Sequence, residues 1–187
     1  VSTDGVAGRT TVRLVYSLDA TQANVYAMAG TASSPLSFPP AYQVAAPFGA
    51  DIGGVPPAFF AAAADAEFDS WLTIGVTDGS APGAIAASPG LGIGALWSET
   101  RRLSVANGAV FFMEPSTMGA NSGTDPIVMA QMTLSAADAW SGTATATLQG
   151  RSVDTNADDW SYSATWSWIP CQGAWSTCTA SCERAAD

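Results

Sequence analysis

Three acidic residues stand at alternate positions: Asp65, Glu67 and Asp69. On a strand that spacing lines one face. Paired carboxylates on a β-sandwich hydrolyse glycosidic bonds when two of them flank one cleft, and Glu114 would be a further acid for such a pair. Three consecutive acids on one face are more often a solvated rim or a cation site, so catalysis is the third reading. The run Asp154-Thr155-Asn156-Ala157-Asp158-Asp159 places oxygen ligands at alternate positions, Asp154, Asn156 and Asp158, like the start of a calcium loop. It lacks the glycine at the sixth position and the distal glutamate of the EF-hand pattern, and the same residue types serve an ordinary turn. Near the C-terminus Trp160, Tyr162, Trp166 and Trp168 share parity, with Ser161, Ser163, Thr165 and Ser167 on the other side. Four rings in a row suit stacking on sugar rings. They suit equally the closing strand of a core, and the chain's shortage of other bulky core residues favours the core.

What the chain lacks narrows the chemistry further. It has no histidine, and its six basic residues are all arginine. Ser-His-Asp and Cys-His catalysis, the commonest zinc and copper ligand, Schiff bases and lysine-dependent phosphate loops are therefore absent. Sixteen acids give a net charge of -10, which repels phosphate backbones and anionic membranes and makes nucleic acid a poor partner. The one basic pair, Arg101-Arg102, reads as structural or solvated. No apolar run approaches the 18 residues of a membrane span.

The elements that would position these residues are strands. Thr10–Ser17 alternates, with Val12, Leu14 and Tyr16 on one side, and residues 24–29 suggest a second strand in a hairpin with it. Residues 31–40 read as loop because Pro35, Pro39 and Pro40 cannot all serve a ladder. Residues 65–76 form the strongest central strand candidate, apolar on both faces after Phe68. Further strands are expected over 109–113, 127–134, 142–150 and 160–168, with one helical turn or a loop over 136–140. Eight to ten short strands with long Gly/Pro-rich loops and no long helix predict an all-β fold, an antiparallel β-sandwich of jelly-roll-like type. The expected division is a tail or linker over 1–9, the sandwich over 10–169 and a cysteine-rich piece over 170–187.

All three cysteines, Cys171, Cys178 and Cys182, fall in that last piece. Trp175-Ser176-Thr177-Cys178-Thr179-Ala180-Ser181-Cys182 resembles the opening of a thrombospondin type 1 repeat, and Arg184 follows where that repeat often begins its arginine ladder. The resemblance implies disulfides, and because the family's partner cysteines lie further downstream, at least one partner outside this chain segment. Other readings of the cysteines are one local disulfide with a spare thiol, or an unstructured tail. Upstream, Pro57-Ala58-Phe59-Phe60, Phe68-Asp69-Ser70-Trp71-Leu72-Thr73-Ile74-Gly75 and Leu148-Gln149-Gly150-Arg151-Ser152 resemble a β-rich module of large secreted proteins of marine algae and protists. A looser likeness is to domains of bacterial exported proteins. The resemblance implies tandem modules alternating with cysteine-rich segments, and no catalytic residues.

These observations lead to an expectation of a non-catalytic structural or adhesive module, secreted or at the cell surface, whose partners are neighbouring copies or modules of the same assembly or filament. The alternative is a carbohydrate-binding module that uses exposed aromatics on glycans, assisted by calcium. No other cofactor is expected.

Overall fold

The computed structural model describes residues 2, 3, 5–80, 83–89, 91–113 and 126–168 of the 187. The chain order is β1 (Ser2–Thr3), β2 (Arg9–Tyr16), β3 (Ala27–Gly30), β4 (Leu36–Phe38), two 3-10 turns (Pro57–Phe59 and Ala64–Phe68) and β5 (Trp71–Leu72). Then follow β6 (Ile85–Ala87), α1 (Ile93–Leu96), β7 (Leu103–Val105), β8 (Gly108–Phe112), β9 (Ile127–Ser135), α2 (Ala136–Trp140), β10 (Gly142–Gly150) and β11 (Trp160–Trp168). One sheet has the order β1-β2-β9-β5; the other runs β6-β8-β3-β10-β4-β7, with β11 on the free side of β10. All strand pairs are antiparallel, as an all-β sandwich requires.

Period-2 alternation explains why the best strands form. Along β10 the even residues Ala144, Ala146 and Leu148 are buried, while Thr143 and Gln149 are exposed. The main core lies between the sheets and includes Met28, Leu36, Phe38, Leu72, Ile74, Trp97, Met129, Met132, Leu134 and Leu148. Trp97 is buried among them because its Nε1–H donates to Pro39 O at 2.6 Å, which satisfies its one polar atom.

A second, smaller cluster covers the outer face of the four-stranded sheet. Val55, Ala66 and Trp71 are buried there, with Phe48, Phe60 and Val128 packed around them. The passage 44–69 is therefore a cover, and outward polar residues of β9 fasten it. Gln131 Nε2 donates to Glu67 O (3.0 Å) and Asp69 O (2.9 Å), Thr133 N–H donates to Ser70 Oγ (2.9 Å), and the Thr133 hydroxyl donates to Phe68 O.

Three sequence expectations are corrected. Residues 10–17 and 24–29 do not form a hairpin: β2 pairs with β9, and β3 pairs with β8 and β10 in the other sheet. The 31–40 stretch contains a strand, β4, because Pro35 and Pro39 flank its three residues and none lies within it. The long strand expected over 65–76 shrinks to Trp71–Leu72, preceded by a 3-10 turn. Burial on both faces holds, since residues 70–74 are all buried. No described helix is long and apolar enough to cross a membrane.

Candidate functional site

The acidic triplet does not share a face, because the 3-10 turn Ala64–Phe68 replaces the expected strand. Asp65 is exposed and accepts the Tyr42 hydroxyl proton at 3.0 Å; burial and this neighbouring carboxylate raise the Tyr42 pKa. Glu67 is exposed as well. Asp69 is fully buried. Its Oδ1 accepts from Val44 N–H and its Oδ2 from Ala50 N–H, both at 2.7 Å. Burial pushes its pKa up to about 6, against the opposing pull of the Val44, Ala50 and Ser70 N–H groups and with a further push from the charge of Asp51. The loop 44–50 wraps this carboxylate so closely that a side chain at Gly49 would strike Val44 O. Asp69 is a clasp for the cover, with both oxygens occupied, and it does not face Asp65 or Glu67 across a cleft. Glu114 lies outside the described residues.

The loop 154–159 is a locally closed turn. Asp154 Oδ1 accepts both the N–H (2.9 Å) and the side-chain amide (3.2 Å) of Asn156, and Ala157 N–H donates to Asp154 O. Asp158 lends its backbone carbonyl to the Ser152 hydroxyl at 2.6 Å, while Asp159 pairs with Arg151 at 3.0 Å. Of the three side chains expected to bind calcium, Asp154 gives one carboxylate oxygen to Asn156, and Asp158 takes part through its backbone carbonyl. Among the described residues no group of three or more acids or cysteines could hold a metal ion.

The aromatic row faces inward. Trp166 is 4% exposed and its Nε1–H crosses to Val15 O of β2 at 2.8 Å, which ties the two sheets together. Trp160, Tyr162 and Trp168 are half-buried and pack on the main core. Two glycines make room for the outer pair. β10 begins and ends in glycine, Gly142 facing Trp168 and Gly150 facing Trp160. A Cβ at either glycine would collide with the facing indole. Each tryptophan thus covers bare backbone, an arrangement known from glycines rescued by cross-strand aromatics. Trp168 Nε1–H also donates to Asp138 O at 2.9 Å, which holds α2, and Tyr16 of β2 stacks on Trp160 with ring centroids 6.0 Å apart. The exposed row that a sugar platform needs is not formed. The sequence carried the signal in the Gly-x7-Gly spacing of β10 facing the Trp-x7-Trp of β11.

The arginines are likewise engaged. Arg9 pairs with Glu99 at 2.7 Å and lies over Tyr42; Arg13 bonds Gln131 and lies over Trp71; Arg151 lies over Tyr26. Arg101 donates to Ala95 O, and Arg102 to Ser37 Oγ and Thr143 O. Every described arginine thus has an internal partner. Cys171, Cys178 and Cys182, and with them the whole expected 170–187 piece, lie outside the described residues.

No family model, curated protein or solved structure matches the chain.

Proposed function

We propose that this chain is a structural or adhesive module of an extracellular, cell-surface or filament assembly, without catalytic chemistry of its own. The observation that supports this reading is the use of its reactive-looking side chains. Asp69 clasps a loop, Asp154 and Asp159 close a turn, and the Trp160–Trp168 row roofs the core. What remains outward on β10 and β11 is hydroxyl-rich and uncharged: Thr143, Ser161, Ser163, Thr165 and Ser167 are all exposed. A domain that works by shape and contact needs such a surface and no cleft. The low charged fraction of 12% and the cysteine cluster in the sequence suit an oxidising compartment where disulfides lock module junctions.

The test has two parts. The purified full chain is screened for hydrolysis of, and saturable binding to, a panel of soluble glycans with and without calcium, and its state in the native material is assayed by size fractionation. The expected result is neither turnover nor saturable glycan binding, with the native protein in high-mass assemblies. Turnover, or a saturable glycan isotherm, would replace this reading with an enzyme or a carbohydrate-binding module.

A further inference from the structure

We propose that the outer edge of β11 pairs antiparallel with the same edge of a second copy of this chain. The proposal rests on the reading of the chain as a structural module and names the surface through which it would act.

The direction of the backbone groups follows from the register. Tyr26 N–H donates to Gln149 O, so the odd residues of β10 point their amides and carbonyls toward β3 and β4. The neighbouring even residues therefore point to β11, where Ala144, Ala146 and Leu148 face Trp166, Ala164 and Tyr162. On β11 the groups of Ser161, Ser163, Thr165 and Ser167 consequently point away from the sheet. Among the described residues no strand pairs with this side.

Native edges of this length usually carry a charge, a proline or a bulge that blocks pairing. β11 has nine residues, Trp-Ser-Tyr-Ser-Ala-Thr-Trp-Ser-Trp, with none of these, and its ladder with β10 runs without a register shift. β10 is uncharged too. In a chain of net charge -10, this hairpin is a place where two like-charged copies can meet without setting acid against acid.

The edge is also complementary to itself. A two-fold axis at Ala164 sets Ser161 opposite Ser167 of the other copy and Ser163 opposite Thr165. Each such pair exchanges two hydrogen bonds, about eight in all. In that register hydroxyls meet hydroxyls on the outer face, and Trp160 meets Trp168 on the inner face, covering their half-exposed rims. The contact is narrow: a strand of about 30 Å and a sheet about 10 Å thick bury on the order of 600 Å² in total. That is below the roughly 1,200 Å² of a stable pair, so single copies associate weakly and linked copies strongly.

Hydrogen exchange and sedimentation of the full chain test this at about 10 μM and about 1 mM, a range chosen to bracket a weak dissociation constant. The expected result is that amide exchange at Ser161, Ser163, Thr165 and Ser167 slows about threefold at the higher concentration, in step with the dimer fraction, while Ala164 and Trp166 do not change. Thr165→Pro removes an outward N–H and no bond to β10; it should abolish both effects at unchanged melting temperature. Should that variant fail to fold, the double variant Ser163→Lys, Thr165→Lys serves instead. Outward amides already protected at the lower concentration would overturn the proposal by showing the edge covered within one chain. Absence of any concentration dependence would overturn it as well. Association that survives in the variants would also overturn it, yet leave the structural reading standing, since only the glycan and turnover screen bears on that.

Discussion

Replacing Asp69 by asparagine probes the clasp that holds the cover on the smaller sheet. The carboxylate is fully buried, accepts two backbone N–H groups at 2.7 Å, and has its pKa pushed from 3.8 up to about 6. A folded-state pKa above the unfolded one means that the native protein holds its proton longer. The stabilising contribution is complete below about pH 3.8 and is lost as the pH rises through 6. A shift of about two units corresponds to about 3 kcal/mol. Asparagine removes this titration. It also presents one oxygen and one NH2 to two N–H donors, so one donor loses its acceptor at a cost of about 1–3 kcal/mol at every pH. Wild type should therefore exceed Asp69→Asn by about 1–3 kcal/mol at pH 4, and the gap should shrink by about 3 kcal/mol, closing or inverting, by pH 7. Other carboxylates titrate alike in both proteins and cancel in the difference. Urea unfolding followed by tryptophan fluorescence at half-unit steps from pH 3.5 to 7.5 measures this gap. A gap that stays constant, or that widens as the pH rises, refutes the argument that burial outweighs the N–H groups at Asp69.

Gly150→Ala should destabilise by about 2–4 kcal/mol in the same unfolding assay, because the added methyl meets both Asn24 O and the Trp160 ring. A cost below about 0.5 kcal/mol would show that the indole is not seated on the glycine. Trp97→Phe should cost about 2–4 kcal/mol, since it leaves Pro39 O without its buried donor and opens a void in the main core; thermal melts measure it. Arg151→Ala should change stability by no more than about 1 kcal/mol, because its pair with Asp159 is largely exposed; a larger loss would mean that its contact with the Tyr26 ring carries the turn.

The strands β10 and β11 could be read from the sequence, but their pairing and register came from the structure. Their limits, Gly142–Gly150 and Trp160–Trp168, coincide with the expected bounds, because two kinds of side chain alternate along each strand. β9 was nearly as plain. The cover over residues 44–69 was not legible, because its order comes from contacts distant in sequence: Gln131 and Thr133 hold its end, and Asp69 holds its loop. Alternation suggested a strand for Asp65, Glu67 and Asp69, but three polar side chains on one face gave no hint that one of them would be fully buried. The inward turn of Trp160 and Trp168 was favoured by core volume, and its local reason, the glycines opposite, depended on the register between the strands.

By itself the sequence determined the all-β class, the best strands and the absence of histidine- and lysine-based chemistry. Composition and period-2 burial are local properties that each segment carries with it. Only the tertiary structure decided which sheet each strand joins, how the acids are used and which edge is left unpaired among the described residues. Those outcomes depend on pairings between residues up to 151 positions apart, such as Trp166 with Val15. No short window of sequence contains both partners, so the edge of β11 that no described strand pairs with became visible only once the other strands had their places.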